Sequence, residues 1–327
     1  MKIVILGTRA RYQRYLPDLP FARAQTPVYL DKDSSEEQIL AAAGDAEVML
    51  VDAIAPVSGR LIEAMPHLRL IHSEGVAFDK IDLSAARARG IDVCNCKGCN
   101  AAAVAEQAIL LMLMLLRRAL EGDRAVRQGR QMEMKERSMV EGITELSDCR
   151  IGLVGFGDIA RATAVRLASF GCTLYYYAPH RRSQEEEARY GVRYLPLEEL
   201  AAACDIISLH CAVTDQTRGM VDGAFLSRMK STAYLINTSR GELVDNLALR
   251  QALLEGRIAG AGFDTLAPEP VPADHPLVDL PEAVRDRVVF SPHLGGITEG
   301  SFRRSHLHMW RNAERVSVGE KPDNIVN

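Results

Sequence analysis

Apolar residues in this chain gather in short unbroken runs, and between the runs they recur at helical spacing. That is the pattern of buried strands alternating with amphipathic helices. Lys2–Leu6 reads as a first strand that ends at Gly7, followed by an arginine-rich loop carrying Arg9, Arg11 and Arg14. Ser34-Ser35-Glu36-Glu37 has the form of a capping box and predicts a helix through Ala43, with Gly44 at its end. Glu47–Val51 and Leu68–Ser73 read as strands, with a short helix over Ser58–Met65 between them. Strands alternating with helices imply a parallel sheet, so the fold class expected over residues 1–100 is an open α/β domain.

A long apolar helix over Ala101–Arg118 comes next and leads into a polar, irregular segment, Glu121–Asp148, which reads as a loop over a site or an arm reaching a partner subunit. Beyond it the pattern resumes. Ile151–Val154 and Leu174–Tyr177 read as strands flanking a helix over Asp158–Phe170, a β-α-β unit whose first turn is Gly155-Phe156-Gly157. Further strands are expected at Asp205–His210, Ala233–Asn237, Gly260–Asp264 and Val288–Phe290, and helices at Asn246–Glu255 and His306–Val318. The last residues, Pro322–Asn327, read as a tail packing back on the first domain.

The β-α-β unit is a ligand-binding device. Gly155 lets the chain turn sharply, Gly157 lets backbone amides approach a pyrophosphate, and the positive end of the helix dipole, at Asp158 and Ile159, faces the phosphates. Ala160 takes the third glycine position and still permits close helix–strand packing. The end of the second strand, where NAD sites usually place an acid for the ribose 2′-hydroxyl, reads Ala178-Pro179-His180-Arg181-Arg182. With no carboxylate to repel a 2′-phosphate and two guanidiniums to bond one, NADP(H) is favoured and NAD(H) is the alternative.

The bulk numbers narrow the class. With 327 residues, 47% hydrophobic and 25% charged, the chain suits a soluble protein of two domains. Its net charge of −4 gives no general attraction to nucleic acid or an anionic membrane. The Ala101–Leu116 run is interrupted by Glu106 and Gln107, which makes it a buried helix rather than a membrane span. The opening MKIVILG is too short for a signal-peptide core, so the expected compartment is cytoplasmic. Three of the seven cysteines cluster as Cys94-Asn-Cys96-Lys-Gly-Cys99, but no neighbouring histidine completes a zinc site and no metal is expected.

Three polar residues stand at ends of predicted strands: Arg240 in NTSRGELVDN, Glu269 in GFDTLAPEP and His293 in SPHLGG. Singly they read equally well as a surface arginine, a loop carboxylate and a satisfied histidine. Together, at the carboxyl ends of strands in a parallel sheet, they point to one site. A guanidinium can bond an anion, and an imidazole can exchange a proton with a neighbouring oxygen. Glu269 beside the ring favours its charged form.

With these residues on the page, the sequence resembles the D-isomer-specific 2-hydroxyacid dehydrogenases over essentially its whole length. The resemblance rests on GVAFDKID (75–82), NCKGCNAAAVAE (95–106), the GFGDIA turn, CDIISLHC (204–211), INTSRGELVD (236–245), GAGFDTLAPEP (260–270), SPHLGG (291–296) and the tail DNIVN. It implies that Arg240, Glu269 and His293 are catalytic and that backbone amides of Gly75 and Val76 bind the substrate carboxylate. Cofactor contacts would come from the glycine turn, from His180, Arg181 and Arg182, and from Val104, His210, Thr238, Asp264, His293 and Gly295. It also implies a Rossmann cofactor domain, residues 101–297, inserted into a flavodoxin-like substrate domain of residues 1–100 and 298–327, with a site in the interdomain cleft. The family's usual oligomer is a homodimer, for which 121–148 would be the arm.

The expected reaction interconverts a 2-oxo acid and a D-2-hydroxy acid. Alternatives are a phosphite-type dehydrogenase of the same fold and a dinucleotide-sensing, corepressor-like binding protein. One arginine of the loop Gly7–Arg14 is also a candidate for binding a second anion on the substrate.

Overall fold

The computed structural model describes all 327 residues, and the chain divides into two compact units: Met1–Asn100 with Ile297–Asn327, and Ala101–Gly296. Each is built on one parallel sheet. The first contains β1 (Ile3–Leu6), β2 (Val28–Leu30), β3 (Val48–Val51), β4 (Leu70–Ser73) and β5 (Asp92–Cys94), in the order β2-β1-β3-β4-β5. Because successive strand residues point to opposite faces, the sheet feeds two separate cores. Val4, Leu6, Met49, Val51, Ile71 and Val93 pack with Ile39, Leu61 and Ile62 on one side. Ile3, Ile5, Val48, Leu50 and Leu70 pack with Tyr12, Met309 and Trp310 on the other.

The second unit holds β6 (Arg150–Val154), β7 (Thr173–Tyr177), β8 (Val192–Tyr194), β9 (Ile206–Leu209), β10 (Tyr234–Asn237), β11 (Gly260–Phe263) and β12 (Val288–Phe290), in the order β12-β11-β10-β9-β6-β7-β8. All of its pairings are parallel. The direction of winding reverses between β6 and β9, which gives this sheet its topological switch point. In the first sheet the reversal falls between β1 and β3. The Ala101–Leu116 helix covers β10–β12, and it lies so close to β11 that a Cβ added to Gly262 would sit 3.1 Å from Leu111 Cβ.

Several local expectations shift. The capping box is Ser35 with Gln38, one residue later than the serine–glutamate spacing suggests: Gln38 N–H donates to Ser35 Oγ and Ser35 N–H to Gln38 Oε1. The arginine-rich segment is a helix, Arg9–Arg14, rather than a loop. Glu121–Asp148 is not irregular, since it contains helices Ala119–Arg127 and Gln131–Glu141. Their polar faces are solvated and tied by Arg127–Asp123 and Arg137–Glu121 pairs, so charge hid the helical period. The final helix begins at Glu299, capped by Thr298, well before His306. The tail pairs with β5: Val326 N–H donates to Val93 O (2.8 Å) and Val93 N–H to Asn327 Oδ1 (2.9 Å). No helix is long and apolar enough to cross a membrane.

Candidate active site

In the second unit, β12, β11 and β10 are neighbours, and the loops that leave their carboxyl ends carry His293, Glu269 and Arg240. The loop after β10 is set by Asn237. Its fully buried side chain donates from Nδ2 to Arg240 O (2.9 Å) and accepts at Oδ1 from Ser239 N–H (3.0 Å), an Asx-type turn. A Cβ at Gly241 would come within 2.2 Å of the Leu266–Ala267 backbone, so this turn lies directly against the loop that leads to Glu269. Arg240 donates from Nη1 to Ser239 O (2.8 Å) and its guanidinium forms no ion pair.

Glu269 and His293 form a pair. His293 Nδ1 lies 2.8 and 3.0 Å from the two carboxylate oxygens. The histidine sits at φ +56°, a left-handed conformation that needs outside support. Asp264 provides it: its backbone oxygen accepts from His293 N–H (2.9 Å), and its buried carboxylate accepts from Leu294 N–H (2.9 Å) and Gly295 N–H (2.8 Å). With Glu269 on Nδ1, the Nε2 edge of the ring makes no bond within the protein. A carboxylate-oriented imidazole with a free nitrogen can exchange a proton with a neighbouring oxygen.

The second cluster surrounds the switch point. Gly155 has φ +91°, and a Cβ there would lie 2.8 Å from the His210 and Cys211 backbone, so no side chain fits between β6 and β9. A Cβ at Gly157 would meet nothing within 4 Å, which leaves that face open. The first amides of the Asp158–Ala168 helix, at Asp158 and Ile159, have no partner within the protein, as expected of helix N-termini that bind phosphate. Burial lowers His210 to about 4, so its ring is neutral near pH 7. Its Nε2 meets Ser208 Oγ at 3.0 Å, while Nδ1 is buried and unpartnered, as is Thr238 Oγ1. Val104 and Asp264 are buried as well. Orphaned polar atoms around an open glycine turn fit a bound dinucleotide.

At the end of β7 the two arginines differ. Arg181 is engaged in a fork with Glu187, Nε to Oε1 at 2.8 Å and Nη2 to Oε2 at 2.9 Å. The adjacent Arg182 reaches back to the glycine turn, with Nη2 3.3 Å from Phe156 O and a buried, unpartnered Nε. Ala178 is buried in the core and His180 is exposed. Glu187 went unrecognised in the sequence because its partner lies across a turn, although its place in the first turn of the helix capped by Ser183 is a local signal.

In the first unit, the loop after β4 carries Gly75 and Val76. Gly75 N–H donates to Ser73 Oγ (3.3 Å), and Val76 N–H has no partner within the protein. The loop is held from behind by Cys96 N–H on Gly75 O (2.8 Å) and Asn95 Nδ2 on Val76 O (2.7 Å). Arg11 is not free to bind an anion. Its Nη2 is 2.5 Å from Asp52 and 2.5 Å from Glu74, and its Nε is 3.0 Å from Glu74. The guanidinium stays charged because these two carboxylates outweigh the cost of its burial. Glu74 also meets His306 Nε2 at 2.7 Å. Arg14 is paired with Glu299, which leaves Arg9 alone among the three without a carboxylate.

A doubly wound sheet with an open glycine turn, next to loops bearing a histidine–carboxylate pair and an arginine, defines a dinucleotide-dependent enzyme. Comparison with known proteins gives its family. Residues 109–295 match the model of the D-isomer specific 2-hydroxyacid dehydrogenase, NAD binding domain. A glyoxylate reductase of Korarchaeum cryptofilum is 35% identical over 319 residues, 96% of this chain and 94% of the relative. Among solved structures, an NAD complex of a D-isomer specific 2-hydroxyacid dehydrogenase from Lactobacillus delbrueckii ssp. bulgaricus aligns with a TM-score of 0.82 at 26% identity, covering 100% of both chains. An acyclic imino acid reductase in complex with NADPH and D-Arg aligns with a TM-score of 0.82 at 25% identity, again over 100% of both. The chain belongs to the D-isomer-specific 2-hydroxyacid dehydrogenase family and is an oxidoreductase.

Proposed function

We propose that this protein reduces a small 2-oxo acid carrying a single carboxylate to the D-2-hydroxy acid, with NADPH favoured over NADH. The observation that carries the reading is the Glu269–His293 pair, formed by the loops after β11 and β12, in the same sheet whose β10 leads to Arg240, at the carboxyl edge of a dinucleotide-type sheet. Arg240 bonds the substrate's carboxylate and carbonyl oxygen through its planar fork, orienting and polarising the ketone. His293 donates a proton to that oxygen in reduction and accepts it in oxidation. Glu269, bonded to Nδ1, holds the ring oriented, so that the transfer runs through Nε2. The amides of Gly75 and Val76 are assigned to the substrate carboxylate.

The dinucleotide, when bound, supplies or accepts the hydride. Its phosphates are assigned to the amides at Gly157, Asp158 and Ile159, its remaining groups to Val104, His210, Thr238, Asp264 and Gly295, and its 2′-phosphate to Arg182 with His180. Two points support NADPH: no acid stands at Ala178, and the Arg182 guanidinium carries no carboxylate partner. Arg181 contributes less than its sequence position suggests, because Glu187 occupies its fork. A single carboxylate on the substrate is supported by the pairing of Arg11 and Arg14, which leaves only Arg9 for a second anion, and by the likeness to glyoxylate reductase.

The helices within 119–141 expose Val126, Met132, Met139 and Val140, the last at 88%, which supports a homodimer through this arm. A spectrophotometric panel of glyoxylate, hydroxypyruvate and a dicarboxylic 2-oxo acid with each cofactor tests the reading, and light scattering of the same preparation tests for the dimer. The expected result is kcat/KM highest for a monocarboxylate with NADPH. Faster turnover of the dicarboxylate, or with NADH, would overturn the corresponding half of the proposal.

A further inference from the structure

One motif plays no part in the reaction above: Cys96-Lys97-Gly98-Cys99, in the turn that immediately precedes the Ala101–Leu116 helix and the passage from one unit to the other. The turn is closed by Cys99 N–H donating to Cys96 O (3.1 Å), with Gly98 at φ +81°, and it sets the two cysteines at the two ends of one tight turn. The pair is asymmetric. Cys96 is buried, its Sγ 3.4 Å from Ser73 O and 3.7 Å from Ser305 O, whereas Cys99 is partly exposed. Arg304 reaches over the turn, with Nε 2.7 Å from Cys99 O.

We propose that Cys96 and Cys99 are a reversible dithiol–disulfide pair that controls the substrate-side loop Ser73–Val76. Cys99 is the attacking sulfur and Cys96 the resolving one. Cys99 thiolate attacks one sulfur of a small-molecule disulfide such as oxidised glutathione. A mixed disulfide forms, and the first thiolate leaves and takes up the proton that Cys99 lost. Cys96 then attacks the Cys99 sulfur, the second small thiolate leaves, and it receives the Cys96 proton. Two electrons pass from the protein to the oxidant, giving one protein disulfide and two small thiols.

The surroundings suit these roles. The neighbouring Cys96 thiol, with help from Ser305 and the Arg304 charge, outweighs burial and brings the Cys99 thiol down to about 7. Burial pushes every other cysteine up, Cys94 and Cys204 to about 12, Cys149 and Cys211 to about 11, and Cys172 and Cys96 upward as well, the last also under the charge of Glu74. Control follows from connectivity. The reduced Cys96 thiol bonds Ser73 O and its amide bonds Gly75 O, so the turn is the rear support of the loop assigned to the substrate carboxylate. Disulfide formation takes the S–H away from Ser73 O and rotates Cys96 within that support. This consequence rests on the proposed function, whereas the thiol chemistry does not.

The test uses the full chain in reduced and oxidised glutathione, read by mass spectrometry and by kinetics. Oxidation should remove two of the seven free thiols, map to a Cys96–Cys99 bridge, reverse with dithiothreitol, and raise KM for the preferred 2-oxo acid by about fivefold, the worth of one lost hydrogen bond. Cys99→Ser should abolish both changes. Cys96→Ser should stop at a glutathione adduct on Cys99, and a brief pulse of iodoacetamide on the unmodified chain should label Cys99 first. Preferential labelling of another cysteine, or no mapped bridge, would overturn the site, and a bridge that leaves KM unchanged would overturn the control. If no 2-oxo acid is turned over at all, the proposed function fails while the mapped bridge still decides the thiol chemistry.

Discussion

At the switch point of the first sheet, between β1 and β3, Arg11 spans the gap to Asp52 and Glu74, and Glu74 in turn holds the buried His306. At the switch point of the second, between β6 and β9, the open face at Gly157, free helix amides and the unpartnered Nδ1 of His210 leave room for a ligand. Both positions are where parallel α/β sheets bind ligands. One is closed by its own charges and the other is left for a ligand. Topology offers the location twice, and side-chain satisfaction decides which offer is taken up. The same contrast appears on a smaller scale at the end of β7, where Glu187 occupies the Arg181 fork and leaves Arg182 unpaired.

The contrast can be broken at three strengths. His293→Ala removes the proposed proton donor from the sheet that holds the open region and should lower kcat by about 10²–10⁴-fold with NADPH binding intact, measured by steady-state kinetics and fluorescence titration. A fully active variant would remove His293 from the chemistry. Arg11→Ala opens the closed region and leaves Glu74 and Asp52 facing one another. It should cost about 2–3 kcal/mol of stability in urea unfolding, discounted for the partial exposure of Arg11, without changing cofactor affinity. A variant as stable as the parent would mean the closed cluster is not structural.

The mildest change is Glu187→Gln, which releases the Arg181 fork. We expect kcat/KM for NADPH to rise by about two- to fivefold while that for NADH stays level, and a fall would place Glu187 in positioning rather than sequestration. Together the three variants ask whether pairing within the protein is what separates a structural arginine from a ligand-binding one.

Much of the architecture was legible because it is written locally. Runs such as Ile151–Val154 and Tyr234–Asn237 are strands wherever they occur in a buried parallel sheet, and Gly155-Phe156-Gly157 between a strand and a helix carries its own conformational requirement. Arg240, Glu269 and His293 were findable because parallel strands bring their carboxyl ends to one edge, whatever the loops contain. The helices at 119–141 were not legible, since charged residues crowd them and their few apolar positions, among them Val126, Met132, Met139 and Val140, face solvent instead of a core.

The sequence by itself therefore determined most strands of the two sheets, with β2, β5 and β8 escaping it, together with the glycine turn and the strand ends that bear the polar residues. What only the tertiary structure decided was which charges are already taken. Arg11 finds Glu74 across 63 positions of chain and Glu74 finds His306 across 232, distances over which no local pattern reports. The shift of the capping box to Ser35 and the difference between Arg181 and Arg182 in the basic turn have one cause. Neighbouring residues of the same chemistry are distinguished only by where the folded backbone points them, and the pairing that results sets which one a ligand can reach.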